Sequence, residues 1–326
     1  MFHQYPLLLK PAVKDYLWGG QKLKTLYHVQ TDLDIAAEAW VLSCHPNGHS
    51  TVQNGPLAGK TLAQVLTLWE QPPLEILVKL IDARDKLSLQ VHPDDAYAAA
   101  HHGSRGKTEM WYVLDADPGA SLICGFERSI TTEEFAAQIA AGTPETVVSF
   151  VPVHPGDVFF IPPGTVHAIG AGILLAEVQQ NSDITYRVWD WGRVGADGKP
   201  RALHTEQALA VSKTEPYVRA QEKNDFSQIP GGRLRTLAEC PYFSTYAMHA
   251  DGTATVPADI RCILCTSGSA TLHCEGCEDV TLSPASSVRR PPSTRARADI
   301  PRSRPARRGA PRGSPRIWRR PRRRCA

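Results

Sequence analysis

The stretch GDVFFIPPGTVH, from Gly156 to His167, constrains the fold of this chain more than any other segment. Its apolar run at 158–161 is typical of a buried strand, and it stops at two prolines and a glycine. The glycine allows a tight turn and the prolines make that turn rigid. The next strand therefore begins with His167 directed inward, and the whole unit predicts a β architecture.

Short apolar runs between Gly, Pro, Asn and Asp indicate further strands in the first 190 residues. We predict them at 77–80, 88–91, 110–114, 147–151, 158–161, 174–178 and 185–189. Helices are predicted after the capping boxes at 61–64 and 131–134, and at 203–212. Because strands and helices do not alternate as in a parallel sheet, the pattern favours a double-sheet jelly roll.

The composition argues against a membrane protein and against a disulfide scaffold. Hydrophobic residues make up 42% and charged residues 21%, and no run approaches the roughly 18 apolar residues of a membrane span. Eight cysteines in 326 residues, without a recognisable secretory signal, predict reduced thiols and a cytoplasmic protein. Two Cys-x2-Cys pairs lie in apparent strands, where residues three apart face opposite sides, so we predict ordinary strand cysteines there rather than a zinc site.

Four polar side chains predict a metal site. Gln90 and His92 share one face of a strand because side chains alternate along it. Glu109 begins another strand, and His167 follows the rigid turn. Two imidazoles, a carboxylate and an amide oxygen suit Zn, Fe or Mn. The residue types do not name the metal, since two histidines and one carboxylate also describe the site of non-haem iron oxygenases.

The spacing G-x5-P-x-G-x2-H from Gly156 to His167 matches the second signature of the cupin barrel, and longer segments resemble one family of cupins. The chain resembles type I mannose-6-phosphate isomerases, particularly the short bacterial form, in Trp18-Gly19-Gly20 and in three segments: LVKLIDARDKLSLQVHPDD, GKTEMWYVLDA and GDVFFIPPGTVHAIGAGILLAEVQQNSDITYRVWDWGR. The resemblance runs with gaps to about Pro284. It implies a mainly β fold, with a cupin-type jelly-roll barrel, helical insertions and a smaller second β domain.

The resemblance also implies a zinc-dependent aldose-ketose isomerase that interconverts mannose 6-phosphate and fructose 6-phosphate through an enediol(ate). One Zn2+ per chain is then expected on His92, Glu109 and His167, with Gln90 as a weak ligand or just outside the ligands. The family's remaining site residues fall on five positions of this chain: Arg187, Lys107, Glu177, Lys79 and Ser88. The family serves both sugar catabolism and GDP-mannose supply, and the sequence does not separate these roles.

The isomerase chemistry suggests roles for these side chains. Proton transfer between C2 and C1 needs a general base and a positive charge beside the developing oxyanion. Arg187 supplies a permanent charge, and either Glu177 or Lys107 is the base, a choice that the sequence leaves open. Since there is no glycine-rich phosphate loop, the phosphate is expected on side chains. Lys79 and Ser88 fit by resemblance, and Arg193 fits either this role or that of a solvated loop charge.

The remainder of the chain is predicted to form a partial β domain and a basic tail. We place the catalytic domain at 1–233, the partial β domain at 234–288 and a disordered tail at 289–326, which holds fifteen arginines and one acidic residue. The family would continue after Leu282 with a glycine turn and a strand that ends in a proline, and that continuation is missing from the sequence. Because out-of-frame reading of GC-rich DNA gives this Arg, Pro and Ala bias, we interpret the tail as a shifted reading frame.

Other functions stay open at this point. A cupin iron oxygenase would use His92, Glu109 and His167, and a sugar-binding cupin would lack catalysis altogether. The basic tail invites a nucleic-acid partner, but Trp318 is its one aromatic residue and no nucleic-acid-binding module precedes it. We therefore expect a small sugar phosphate as the partner, with neither a membrane nor a nucleic acid involved. The sequence does not set the oligomeric state, and a monomer is compatible with it.

Overall fold

The computed structural model describes residues 3–195, 198–219, 226–291 and 295–300. The strands within these ranges are β1 (Leu7–Lys10), β2 (Ala12–Lys14), β3 (Glu38–Leu42), β4 (Thr51–Val52), β5 (Ile76–Ala83), β6 (Leu89–Val91), β7 (Glu109–Ala116), β8 (Ser121–Phe126), β9 (Val148–Pro152), β10 (Val158–Ile161), β11 (His167–Ala168), β12 (Ile173–Gln180), β13 (Tyr186–Trp189), β14 (Ser227–Ile229), β15 (Gly232–Glu239), β16 (Ser244–Ala250), β17 (Gly252–Val256), β18 (Cys262–Leu264), β19 (Ala270–Cys274), β20 (Val280–Leu282), β21 (Ser287–Arg289) and β22 (Ala296–Ile300). The α-helices are α1 (Lys22–Thr25), α2 (Leu62–Leu68), α3 (Asp95–His102), α4 (Thr132–Ala141) and α5 (Thr205–Val211).

Two antiparallel sheets face each other and enclose the main core. The six-stranded sheet has the order β10-β7-β12-β5-β3-β2, and the five-stranded sheet has the order β13-β6-β11-β8-β9. Trp111 and Phe159 from the first sheet pack with Leu122 and Cys124 from the second in one buried cluster. The prediction of a mainly β, cupin-like fold with helical insertions is confirmed. Among the described residues, hydrogen bonds do not close the two sheets into one barrel.

Helices α2, α4 and α5 cover the outer faces of these sheets, and α2 and α4 begin at the predicted caps. The Thr61 side chain accepts from the Gln64 backbone N–H, and the Gln64 side chain accepts from the Thr61 backbone N–H, so the capping box of α2 is complete. Thr131 caps α4, and Gly142 ends that helix in the left-handed conformation. Helix α2 packs on the outer side of the six-stranded sheet, and α4 and α5 pack on the outer side of the five-stranded sheet. No described helix is both long and apolar enough to cross a membrane.

The rigid turn delivers its histidine to the middle of the five-stranded sheet. Gly164 has φ +83°, and a Cβ at this position would lie 2.8 Å from the backbone oxygen of Val211. Both the conformation and the close approach therefore require glycine. In β11, His167 pairs with Gln90 of β6 on one side and with Cys124 of β8 on the other.

The second β unit, residues 226–300, is more complete than the sequence predicts. Strand β22 lies inside the range predicted as a disordered tail, yet it occupies an interior position between β17 and β19. Ala296 and Ala298 are buried in the core of this unit, whereas Arg297 between them is exposed. Strand β22 thus lies beyond the predicted boundary at 289, because an alternating strand pattern is present within the arginine-rich sequence.

The turn and strand expected after Leu282 are present as well. Ala285 adopts φ 66° where a glycine was expected, and β21 follows, with Pro291 shortly after it. Strand β21 pairs with β18 and with β1, in a sheet of order β18-β21-β1-β4. This sheet crosses the predicted boundary at residue 233 and joins the first strand to the second β unit. Residues 301–326 of the predicted tail lie outside the described residues.

Candidate active site

Two rows of side chains point into the space between the two central sheets. In the six-stranded sheet, paired positions on neighbouring strands are occupied by Trp40, Lys79, Glu177, Trp111 and Phe159. In the five-stranded sheet, the paired positions are occupied by Arg187, Gln90, His167 and Cys124. Directly paired residues share a face, and the members that belong to the central core show that both faces are the inner ones.

His92, Glu109 and His167 bring three ligand atoms together beside these rows. All three side chains are buried, and their ligand atoms lie within 4.8 Å of one another. Glu109 Oε1 is 3.3 Å from His167 Nε2, and Glu109 Oε2 is 3.5 Å from His92 Nε2. In the part of the chain that the structure describes, no other three His, Cys, Asp or Glu residues converge in this way, and the two Cys-x2-Cys pairs do not form a second group.

Backbone carbonyls set the orientation of both imidazoles. His92 Nδ1 lies 2.9 Å from the oxygen of Ile184, and His167 Nδ1 lies 2.8 Å from the oxygen of Thr165. Because a carbonyl oxygen only accepts, each Nδ1 carries the proton and donates it. The Nε2 lone pairs are then left facing Glu109, which is the arrangement used by metal-binding histidines.

Burial controls the charges of this cluster. Burial lowers the pKa of His167 to about 4, and it lowers the pKa of His92 well below its usual value. Burial also raises the pKa of Glu109 to about 7, although Lys107 opposes this effect. Two neutral imidazoles and a buried carboxylate whose Oε1 receives no hydrogen bond form a donor set suited to a divalent metal ion. The residues present therefore fit a bound metal.

Lys107 and Gln90 reach the same cluster. The ammonium Nζ of Lys107 lies 2.8 Å from Glu109 Oε2 and 3.0 Å from His92 Nε2, with the lysine side chain buried. The site thus holds a positive charge beside the ligand atoms. The Gln90 amide nitrogen is 3.3 Å from His167 Nε2, and rotation of the amide by 180° would present its oxygen at the same point.

Glu177 forms a second charged cluster with Lys79 and Trp111. Lys79 Nζ lies 3.1 Å from Glu177 Oε1, and Trp111 Nε1 donates to Glu177 Oε2 over 2.9 Å. Burial alone would raise the pKa of Glu177, but Lys79 and Lys107 lower it to about 2. Burial alone would lower the pKa of Lys79, but Glu177 and Glu38 raise it. Glu177 is therefore an ionised carboxylate, and it is a weak base.

Glu38 and Trp40 extend this cluster, although the sequence does not single them out. Trp40 Nε1 donates to Glu38 Oε2 over 2.7 Å, and Lys79 Nζ lies 5.2 Å from the centre of the Trp40 ring. All five residues of β3 are buried, so the segment has the pattern of an ordinary core strand. The one available signal is the spacing of Glu38 and Trp40, two residues apart and thus on one face.

Arg187 and Ser88 both lie close to Gln90. Arg187 pairs with Gln90 across β13 and β6, and its Nη1 donates to the oxygen of Ala202 over 2.8 Å. Ser88 is buried and lies directly before β6, two residues from Gln90. Both side chains thus belong to the surroundings of the metal-ligand cluster.

Arg193 lies in a different setting, in the loop after β13. Its guanidinium donates to Asp190 Oδ1 and to the oxygen of Lys86, each over 2.6 Å. Asp190 also accepts two hydrogen bonds from Arg201. Arg193 is therefore already held by its own loop, and its predicted role in phosphate binding stays a prediction.

Comparisons with known proteins agree with this geometry. Residues 7–118 match the family profile described as "Phosphomannose isomerase type I, catalytic domain". The chain is 40% identical over 265 residues to "Probable mannose-6-phosphate isomerase GmuF" of Bacillus subtilis, covering 78% of this chain and 82% of that protein. It is 37% identical over 281 residues to the mannose-6-phosphate isomerase of Streptococcus mutans, covering 83% and 88%. The crystal structure of mannose 6-phosphate isomerase from Bacillus subtilis superposes with a TM-score of 0.83 at 32% identity, covering 91% of this chain and 97% of the other.

Proposed function

Because the chain belongs to the type I phosphomannose isomerase family, we propose that it interconverts mannose 6-phosphate and fructose 6-phosphate between its two central sheets. The structural observation that best supports this activity is the buried group of His92, Glu109 and His167, with the Lys107 ammonium beside it. Curated relatives with this activity in their names align over most of the chain. The substrate is accordingly a phosphorylated hexose.

The proposed metal is Zn2+, one per chain, on His92, Glu109 and His167, with Gln90 as a fourth ligand. Neutral imidazole nitrogens and carboxylate oxygens are common zinc ligands. When bound, zinc supplies Lewis-acid polarisation of the sugar oxygens. Support for this choice comes from the donor types, from the fixed Nδ1 protons and from the buried Glu109 oxygen that receives no hydrogen bond.

Lys107 is the proposed general base. In its neutral form the amine accepts the proton from C2 of the aldose and returns it to C1 by way of an enediol(ate), while the proton of the C2 hydroxyl passes to O1. Glu177 suits this role less, because its pKa of about 2 makes it a weak base; it contacts Lys79 and Trp111 instead. Its proposed task is to hold those two side chains in place.

Arg187 is proposed to stabilise the oxyanion that forms during proton transfer. Its guanidinium is permanently charged, and its buried Nε has no hydrogen-bond partner among the described residues, so this N–H is available to substrate. The phosphate is proposed to bind Lys79 and Ser88. Arg193 joins them if it exchanges the Lys86 oxygen for the phosphate.

A coupled assay tests the activity and the metal together. Metal-stripped protein is supplied with zinc or with ferrous iron, and conversion of mannose 6-phosphate to fructose 6-phosphate is followed. We expect zinc to restore turnover, His167→Ala to abolish it, and His154→Ala, a matched change at an exposed histidine, to leave it intact. Iron-dependent oxygen consumption without isomerisation would instead establish the oxygenase alternative, and sugar binding without turnover would establish the binding-cupin alternative.

A further inference from the structure

The segment that carries Lys107, residues 106–108, has all three of its backbone N–H groups bonded. The first donates to Asp95 Oδ1 over 2.8 Å, the second to the oxygen of Pro93 over 3.0 Å, and the third to Gln180 Oε1 over 2.8 Å. Every amide of the segment is thus tied to a group outside it. These bonds fix the direction in which the Lys107 side chain leaves the backbone.

Asp95 lies at the centre of this network. Its Oδ1 accepts a second bond, from Gln180 Nε2 over 2.9 Å, so the carboxylate acts on both ends of the 106–108 segment. Its Oδ2 accepts from the hydroxyl of Tyr242 over 2.7 Å. Tyr242 lies between β15 and β16, in the second β unit. One carboxylate therefore connects that unit to the segment that carries Lys107.

Close packing stiffens the part of this connection between Asp95 and the 106–108 segment, whereas the Tyr242–Asp95 hydrogen bond itself is exposed. A Cβ on Gly106 would lie 2.5 Å from the carbonyl carbon of Asp94 and 2.6 Å from the nitrogen of Asp95, so the two backbones are in direct contact. Next to Tyr242, the side chain of Phe243 is buried in a cluster with Met110 of β7. Because no void separates these backbones, a displacement of Asp95 would also displace residues 106–108.

We propose that Tyr242 and Asp95 are positioning residues for Lys107, and that the second β unit contributes to catalysis through them. This role rests on the proposed isomerase activity. The Lys107 ammonium reaches Glu109 and His92 at 2.8 Å and 3.0 Å, and a shift of about 1 Å would exceed hydrogen-bond range. Misplacement by that amount can lower a catalysed rate by about a hundredfold.

Steady-state kinetics on zinc-loaded, full-length variants test the role. We expect Tyr242→Phe to lower kcat about three- to tenfold and Asp95→Ala to lower it about a hundredfold, with KM within about twofold of wild type. Asp95→Asn keeps an acceptor oxygen for the segment and should recover most of the loss. Tyr246→Phe is the matched control from the same unit, since its hydroxyl makes no hydrogen bond within the described residues. If Tyr242→Phe turns over as fast as Tyr246→Phe, the positioning role is wrong.

Amide hydrogen exchange of residues 106–108 gives a readout that needs no activity. We expect Tyr242→Phe to speed exchange in this segment about tenfold, and Tyr246→Phe to leave it unchanged. If Tyr242→Phe speeds exchange but the wild-type protein does not isomerise mannose 6-phosphate, the positioning role stands and the proposed function is wrong. Exchange equal to that of wild type would overturn the positioning role whatever the activity.

Discussion

At the scale of single residues, the bond from Trp111 to Glu177 is expected to contribute measurably to stability. The indole N–H donates to a buried carboxylate over 2.9 Å, and Trp111→Phe leaves that oxygen without this donor. Loss of a buried partner costs about 1–3 kcal/mol, and we expect the free energy of unfolding in urea to fall by that amount beyond the packing loss. Trp69→Phe is the control, since Trp69 is buried but its indole N–H has no partner among the described residues. Equal losses in both variants would contradict the role of the bond.

The depressed pKa of Glu177 predicts a pH dependence of stability. Despite burial, Lys79 and Lys107 lower the pKa of this carboxyl from 4.5 to about 2 on folding. Its contribution is therefore fully present above pH 4.5 and is lost as the pH falls toward 2. The advantage of wild type over Glu177→Gln in unfolding free energy should be about 2 kcal/mol larger at pH 6 than at pH 3. Urea unfolding at the two pH values measures it, and an advantage that does not change with pH would rule out the ionised carboxylate as its source.

Residues in local patterns can be predicted from the sequence, and residues in long-range networks cannot. His92 and His167 follow from strand alternation and from a rigid turn, both of which lie within a few residues of them. Asp95 and Tyr242 meet across 147 positions of the chain. No local pattern marks Tyr242, because its role exists only once the second β unit has packed on β7.

At the scale of elements, β22 is expected to be essential to the second β unit. It pairs with β17 and with β19, and its buried alanines complete the core there. A chain that stops after Pro291 loses this interior strand and exposes two unpaired edges, so we expect aggregation and loss of soluble protein. A chain that stops after Ile300 keeps the strand and should stay soluble. Soluble yield and light scattering compare the two, and equal solubility would show that β22 is dispensable.

Helices could be predicted from the sequence where a side chain bonds to the backbone beside it and so marks the start of the helix. Thr61 and Thr131 mark helix starts because their hydroxyl groups bond to the first turn of each helix. Strand β22 was not predicted because alanines fill its buried positions and an arginine lies between them, whereas a core strand normally shows larger apolar residues. Arg290, directly after β21, shows that arginine in this region does not exclude a packed core, because its side chain is buried and donates to the oxygens of Pro257 and Ile260.

At the scale of the whole molecule, the origin of the tail can be tested directly. The strands through Ile300 show that the second β unit continues past the expected break at Pro284, while the shifted reading frame stays a prediction. Sequencing the gene across the codons for residues 280–290 checks it. A single intact frame through the arginine run would contradict the shift, and an inserted or deleted base would support it.

Basic residues are concentrated after Ile300 and acidic residues lie before it. We expect the basic end to bind phosphates without affecting catalysis. Eleven of the 36 basic residues and none of the 33 acidic residues follow Ile300, which leaves 25 basic and 33 acidic residues before it. Arginines on such a segment bind phosphates without sequence preference and release counterions as they do so. In keeping with the expectation that a nucleic acid is not a partner of this protein, we expect the full chain to bind duplex DNA only non-specifically at about 50 mM salt and to lose about a thousandfold in affinity by about 200 mM.

A chain that ends at Ile300 should not bind DNA at either salt concentration, because its remaining charge is negative. Its kcat and KM for mannose 6-phosphate should equal those of the full chain, since every residue of the candidate active site lies before Ile300. Fluorescence anisotropy with labelled DNA and the isomerase assay measure the two properties on the same samples. DNA binding that persists at about 200 mM salt, or that alters turnover, would show that the basic end and the active site do not act separately.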